Sequence, residues 1–332
     1  MRGNARPIAA SVTVTAPARL HLGFLDPSGG LGRQFASIGL AIADLGTRIS
    51  IRAAASAHVE GMEHARVAQH LETMQRHLRL SGAYAARIEQ TVPAHAGLGS
   101  GTQIALAVAA GIRRLHDLPF DVAGDAIRLG RGSRSGIGIG IFDRGGLILD
   151  GGRGPATITP PIISRLSFPP QWRVMLVLDP SRKGVHGPEE GAAFEMLPPF
   201  PEPEAAHHCR LMLMKALPAV AEGDLASFGS AIRELQSRVG DYFAPIQGGS
   251  RFTSPAVAAA LARLEEAGAY GLGQSSWGPT GFAFASSAEE ADRLLAVLHR
   301  DERLRVLDIR VCSGLNRGAQ IDVDPALDNR SG

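Results

Sequence analysis

At 332 residues the chain is long enough for two domains of about 100–200 residues each. Its 45% hydrophobic and 20% charged residues suit a globular protein with a sizeable core. A net charge of +2, 5% aromatics and no basic stripe argue against nucleic-acid binding, and no apolar run reaches the ~18 residues of a membrane span. Cys209 and Cys312 lie far apart and fit neither a disulfide framework nor zinc spacing. The first residues carry arginines with no long apolar stretch behind them, unlike a signal peptide, so a cytoplasmic enzyme is expected. Forty glycines gather at 29–32, 97–101, 136–154 and 268–281, which implies several special turns rather than low complexity.

Alternation predicts strands at 11–15, 38–42 and 47–53, and apolar spacing predicts a helix over 67–78 that stops near Gly82. Ala86, Ile88, Gln90 and Val92 alternate with polar neighbours and predict a strand running into Pro93-Ala-His-Ala-Gly-Leu-Gly-Ser-Gly-Thr102. The small apolar run 103–115 then predicts a buried helix. Strand, glycine loop and helix aim several backbone N–H groups at one spot, and glycine lets an anion come close. The helix macrodipole completes a phosphate-binding site. An ordinary glycine-rich turn has the same local pattern, so the rest of the chain decides.

Residues 131–152 predict two strands joined by a Gly145-Gly146 turn and entered through an arginine- and serine-bearing loop. The Gly- and Pro-rich stretch 151–170 is the expected boundary between units 1–160 and 161–332. Beyond it come a strand at 172–178, a loop at 181–190 and helices at 204–221, 224–239 and 255–267. Strands at 270–274 and 281–285 flank a second glycine loop. A Ser287/Glu290 capping box opens a helix to about residue 300, and a strand at 304–311 closes an α+β layer.

Three glycine-bearing segments, 16–26, 93–102 and 271–281, together resemble the three motifs of the GHMP kinase superfamily, and Gly97-Leu-Gly-Ser100 is the specific one. That resemblance implies a two-domain α+β fold. Its N-terminal part would be like domain 2 of ribosomal protein S5, and its C-terminal part ferredoxin-like. The departures are informative. Gly101-Thr102 stands where the kinases usually carry a second Ser, the helix 103–115 has no acid for Mg²⁺, and Gly132-Ser-Arg-Ser-Gly136 replaces a common catalytic Asp. Ala16-Pro-Ala-Arg-Leu-His-Leu-Gly-Phe-Leu-Asp26, the 131–138 and 145–152 segments and Gly273-Gln-Ser-Ser-Trp-Gly-Pro-Thr280 are similar to the β-ribofuranosylaminobenzene 5′-phosphate synthase family.

The resemblance implies tetrahydromethanopterin biosynthesis. The reaction would condense phosphoribosyl pyrophosphate (PRPP) with 4-aminobenzoate or 4-hydroxybenzoate, releasing CO2 and pyrophosphate. Mg²⁺ and a homodimer are expected with it, and an ATP-dependent small-molecule kinase is the alternative. Gly97, Leu98, Gly99, Ser100, Gly101 and Thr102 would cradle pyrophosphate. Arg19, Arg131 and Arg134 are candidate anion clamps, because a guanidinium fork matches phosphate or carboxylate. Ser135, Gln274, Ser275, Ser276, Trp277 and Thr280 would line the substrate, with Trp277 either stacking on the aromatic acid or buried as core. Asp26 is a candidate for the cationic centre or the metal, His21 and His186 for proton handling, and Glu189 and Glu190 for Mg²⁺. His207-His208-Cys209 lacks a second ligand pair. Leu176-Val-Leu-Asp179 offers one acid where the common phosphoribosyltransferases carry two, so PRPP would sit on a different loop.

Overall fold

Two long strands, β1 (Ala9–Asp26) and β2 (Phe35–Ala54), form the antiparallel pair on which the rest is assembled. The computed structural model describes residues 7–184 and 188–325. Val12, Val14, Ile49 and Ile51 point inward from this pair, while Thr13, Thr15, Ser50 and Arg52 stay on its wetter side. The register slips between Pro17 and Ala18, where 43–45 bulge out of β2, so the predicted strands at 38–42 and 47–53 are one strand with a kink. The first sheet continues through β4 (Ala83–Gln90) to β3 (His58–Glu60), while β5 (Leu147–Asp150) pairs with the other half of β2 and with β6 (Ile162–Leu166). The helices α1 (His64–Leu78) and α2 (Ser100–Leu115) cover one part of it through Val67, Leu71, Met74, Ile104 and Val108.

The second sheet has the order β10 (Asp308–Ser313), β7 (Arg173–Leu178), β9 (Gly281–Ala285), β8 (Tyr270–Gln274), all antiparallel. Met175, Val177, Ala283 and Ala285 face α9 (Pro255–Glu266) and α10 (Ala288–His299). Val174, Leu176, Phe282 and Phe284 face the long helix α8 (Leu225–Phe243), whose Phe228, Ile232 and Leu235 also meet Leu20 and Leu22 of β1. One core therefore bolts the two sheets together. A Cβ on Gly23 would stand 2.7 Å from Leu235 Cδ2, so the glycine is what lets α8 lie flat on β1. Each fully buried Leu or Phe at this junction contributes about 1.5–3 kcal/mol.

Residues 137–144 are a helix, α4 (Ile137–Arg144), and not the strand that the Ile-Gly alternation predicts. The segment is buried on all sides, so alternation carries no face information, and the glycines serve helix packing instead. A Cβ on Gly138 would lie 3.2 Å from Thr102 Cγ2 of α2, and one on Gly140 3.0 Å from Ile162 Cδ1 of β6. The predicted helix 204–221 is divided into α6 (Glu202–Leu211), a π-helical turn at Met212–Ala216 and α7 (Leu217–Glu222). The closing strand begins at 308 rather than 304. A further strand, β11 (Gln320–Pro325), returns to the first sheet beside β1. Residue 160, the expected domain boundary, falls in the connection between the paired strands β5 and β6. Among the described residues no helix is long and apolar enough to cross a membrane.

The end of α2 is held by a buried ion pair. Arg113 donates through Nε and Nη2 to the two oxygens of Asp125 in α3 (Val122–Arg128), at 2.5 and 2.7 Å, and through Nη1 to Pro119 O at 2.8 Å. Removing one partner strands a charge, so Asp125→Ala is expected to lower unfolding free energy by about 3–5 kcal/mol in urea titrations. A loss under about 1 kcal/mol would show that Arg113 finds another partner.

Candidate active site

The three glycine segments meet at one junction. The chain enters α2 through Gly97 and Gly99, both at φ 76°, and Gly99 caps the helix. A Cβ on Gly97 would stand 2.3 Å from Ser275 O, and one on Gly99 3.0 Å from Arg19 Nε, so any side chain at either position would collide with its neighbour. Arg19 N donates to Leu98 O at 3.0 Å and ties β1 to the loop. Ser275 Oγ donates to Gly97 O at 2.7 Å and accepts from His21 N at 3.0 Å, which joins all three segments through one hydroxyl.

Thr102 N and Gln103 N donate back to Gly99 O, whereas no described residue accepts from the amides of Ser100 and Gly101. Those amides form the positive end of a sixteen-residue helix. Arg19 lies against Gly99, and among the described residues its guanidinium donates from Nη1 to Gly97 O at 3.5 Å. Burial lowers its pKa to about 10, while Glu190 opposes the shift. Arg131 lies against Gly101, its Nη1 3.1 Å from where a Cβ would stand. Burial lowers its pKa too, helped by Arg66.

The other candidates divide into groups that face the site and groups that build it. Arg134 pairs with Glu190 at 3.0 Å and carries its guanidinium 6.0 Å from the Phe194 ring centre. Trp277 is buried, donates from Nε1 to Glu190 Oε1 at 3.1 Å and packs on Phe243 and Phe194. Glu190 is thus carried on α5 (Pro188–Met196) into the cationic mouth. Ser135 Oγ donates to Asp150, whose buried carboxylate also accepts from the amides of Ser37, Gly136 and Gly152. Burial raises the pKa of Asp150 and those four bonds oppose it. Asp26 accepts from the amides of Ser28, Gly29 and Gly30, so both of its oxygens are engaged in its own turn. Gln274 is held by Gln236, Gln247 and Thr253, and Thr280 O accepts from Ser275 N. Ser276 takes φ 54° in the turn between β8 and β9. His186 and the side chain of Glu189 lie outside the described residues.

His21 is 2% exposed, with its ring centre 4.4 Å from that of Phe24. Burial, and then Arg19, push its pKa well below the ordinary 6.5, so it is neutral. Among the described residues no group of three or more His, Cys, Asp or Glu side chains is placed to hold a metal ion. His207 bonds Glu234 at 2.7 Å rather than a histidine or cysteine partner.

Residues 64–145 match the GHMP kinases N terminal domain and residues 216–302 the GHMP kinases C terminal family. A β-ribofuranosylphenol 5′-phosphate synthase from Methanothermobacter thermautotrophicus is 29% identical over 328 residues, covering 92% of this chain and 97% of the relative. One of the same name from Archaeoglobus fulgidus is 32% identical, covering 92% and 98%. The chain belongs to this synthase family. The L. major mevalonate kinase, solved in complex with R-mevalonate, superposes with a TM-score of 0.66 at 15% identity over 97% of this chain and 99% of its own; that likeness concerns the fold.

In this synthase family member, sequence reasoning found the loops but not how Asp150 and Glu190 are used. Asp150 closes the 131–138 loop, and Glu190 neutralises Arg134. The first signal was present in Leu149-Asp150-Gly151, an acid at a buried strand end followed by a glycine. The second had none, because the partner is 56 residues away, counted from 134 to 190.

Two outcomes follow. Ser275→Ala leaves Gly97 O and His21 N unpaired and is expected to cost about 1–3 kcal/mol in urea unfolding followed by tryptophan fluorescence. A change below about 0.5 kcal/mol would mean that the segments are not joined there. For His21, the unfolded chain binds a proton below pH 6.5 that the folded chain refuses. Stability therefore falls as pH drops through 6.5, with a slope of up to about 1.4 kcal/mol per pH unit. His21→Gln is expected to remove that share, and unfolding curves for both proteins at pH 7.5 and 5.5 check it.

Proposed function

We propose that the chain is a β-ribofuranosylphenol 5′-phosphate synthase: a phosphoribosyltransferase that joins PRPP to a 4-substituted benzoate with loss of CO2. The observation that carries this reading is the match, along nearly the whole chain, to relatives bearing that name. Their names specify the phenol, which favours 4-hydroxybenzoate over 4-aminobenzoate as acceptor. The kinase alternative has the fold and the two GHMP kinases family matches behind it, but α2 carries no Asp or Glu.

The free amides of Ser100 and Gly101, with Arg131 beside them, would take the diphosphate. Arg19 stands over Gly99, where charge builds as the diphosphate leaves. Arg134 would exchange Glu190 for the carboxylate or 5′-phosphate of a substrate, since either matches its fork. The ring carbon bearing the carboxylate attacks C1 of the ribose, and the bond from C1 to the diphosphate oxygen breaks with its electron pair. The pair of the ring–carboxylate bond then returns to the ring as CO2 leaves. No net proton moves, so a neutral His21 suits the step without acting as acid or base.

Mg²⁺ is proposed to enter as the counter-ion of the diphosphate. Asp26 and Asp150 are engaged by backbone amides and Glu190 by Arg134, so these acids do not form a cage for it.

Incubating the protein with Mg²⁺, PRPP and carboxyl-labelled 4-hydroxybenzoate is expected to release labelled CO2, and a parallel tube with ATP in place of PRPP is expected to release none. Arg134→Gln is expected to lower kcat/KM on the order of 100-fold. No CO2 from 4-hydroxybenzoate, or from labelled 4-aminobenzoate tested alongside it, together with tight ATP binding, would overturn the reading.

A further inference from the structure

A second group of polar side chains lies on α1, which packs against α2. Arg66 and His70 are four residues apart on that helix and share a face. His70 is only 5% exposed, and its Nε2 has no hydrogen-bond partner among the described residues. Such a buried, unanswered polar atom is rare, because leaving it unpaired costs about 1–3 kcal/mol. Arg131 reaches the same region from the loop after α3, lying against Gly101, and its Nε is also buried without a partner. Burial takes the His70 pKa down to about 4, with Arg131 and then Arg66 adding to it, so both cations bear on this ring.

The charge around this spot is one-sided. Glu63, 2.9 Å from Arg66 and one turn before it, is the acid paired with this group. From Ser100 to Ile112, α2 has no titratable side chain, and its first amides, those of Ser100 and Gly101, have no described acceptor. Arg66 and Arg131 both act on the His70 ring, Arg131 also lies against Gly101 in the first turn of α2, and Glu63 is the carboxylate paired with Arg66. An anion beside the glycine loop is what would answer the unpartnered atoms of His70 and Arg131 together with these amides.

We propose that Arg66, His70 and Arg131, with the first turn of α2, form a subsite for the distal phosphate of a diphosphate. This deepens the reading of the glycine loop as the diphosphate cradle and rests on it. The inner phosphate sits on the loop beside Arg19, and the outer one reaches past Gly101 to α1. The subsite selects diphosphate over monophosphate, because a single phosphate cannot span both.

Inorganic pyrophosphate and inorganic phosphate, titrated separately into the full chain by calorimetry, test this. Pyrophosphate is expected to bind at least about tenfold more tightly, a difference of about 1.4 kcal/mol. Arg66→Gln and His70→Gln are each expected to weaken pyrophosphate about tenfold or more while leaving phosphate within about twofold. Arg66 is 29% exposed, so its variant tests the subsite even where His70→Gln unfolds the chain. Arg66→Lys is expected to restore part of the loss. Pyrophosphate binding that is undetectable, or unchanged within about twofold in Arg66→Gln, would overturn the proposal. CO2 release is scored apart: its absence beside Arg66-dependent pyrophosphate binding removes the synthase reading and leaves the subsite.

Discussion

The Ser275 hydroxyl bonds Gly97 O on one side and His21 N on the other, so a single side chain fixes the distance between the two sheets at the site. The contact needs backbone-to-backbone approach. Gly97 has room for no Cβ against Ser275 O, and Gly184 has none against Gly278 O. Leu235 and Phe228 of α8 press the layers together from the apolar side, but hydrophobic burial is not directional. Apolar packing supplies the force of closure, and the hydroxyl with its glycines supplies the register.

Once the layers are in register, the site holds more positive charge than its own acids answer. Arg19 and Arg131 lie against Gly99 and Gly101 at the start of α2, and Glu190, paired with Arg134, is the carboxylate that bears on Arg19. Unpaired buried cations are costly, and that cost raises the affinity for an incoming anion, which relieves it. Asp26 and Asp150 do not join this balance. Each is engaged in holding its own loop, 26–30 or 135–152.

The glycine loops were legible because their signal is local: spacing and residue type announce a tight turn before a helix, whatever surrounds it. α4 was not. Ile137-Gly-Ile-Gly-Ile141 alternates as a strand does, and only the close approach of Thr102 and Ile162 reveals why small residues recur there. β11 was missed for a related reason, since Gln320-Ile-Asp-Val-Asp-Pro325 is an exposed edge strand whose polar residues answer Ser11, Thr13 and Thr15 of β1. Arginine, serine and histidine candidates could be named from the chain, but whether each faces a ligand or a neighbour depends on partners far away in sequence. Gln274 and Ser135 turned out to be bound by side chains 38 and 15 residues away.

The same scaffold hosts kinases and, in this family, a synthase, and the difference lies in a few side chains around one helix. A phosphoryl transferase must hold a metal and align a hydroxyl. The helix that begins at Ser100 carries no acid for the first task, and the loop at 132–136 offers Ser133, Arg134 and Ser135 in place of one for the second. Phosphoribosyl transfer with decarboxylation has different needs. The leaving group is already a good anion, and the departing CO2 supplies the electron pair that a base would otherwise free. A site for it can forgo proton carriers and concentrate donors where the leaving charge grows; Arg19, Arg131 and the bare amides of α2 gather donors around Gly99 and Gly101, as the proposed reaction would need.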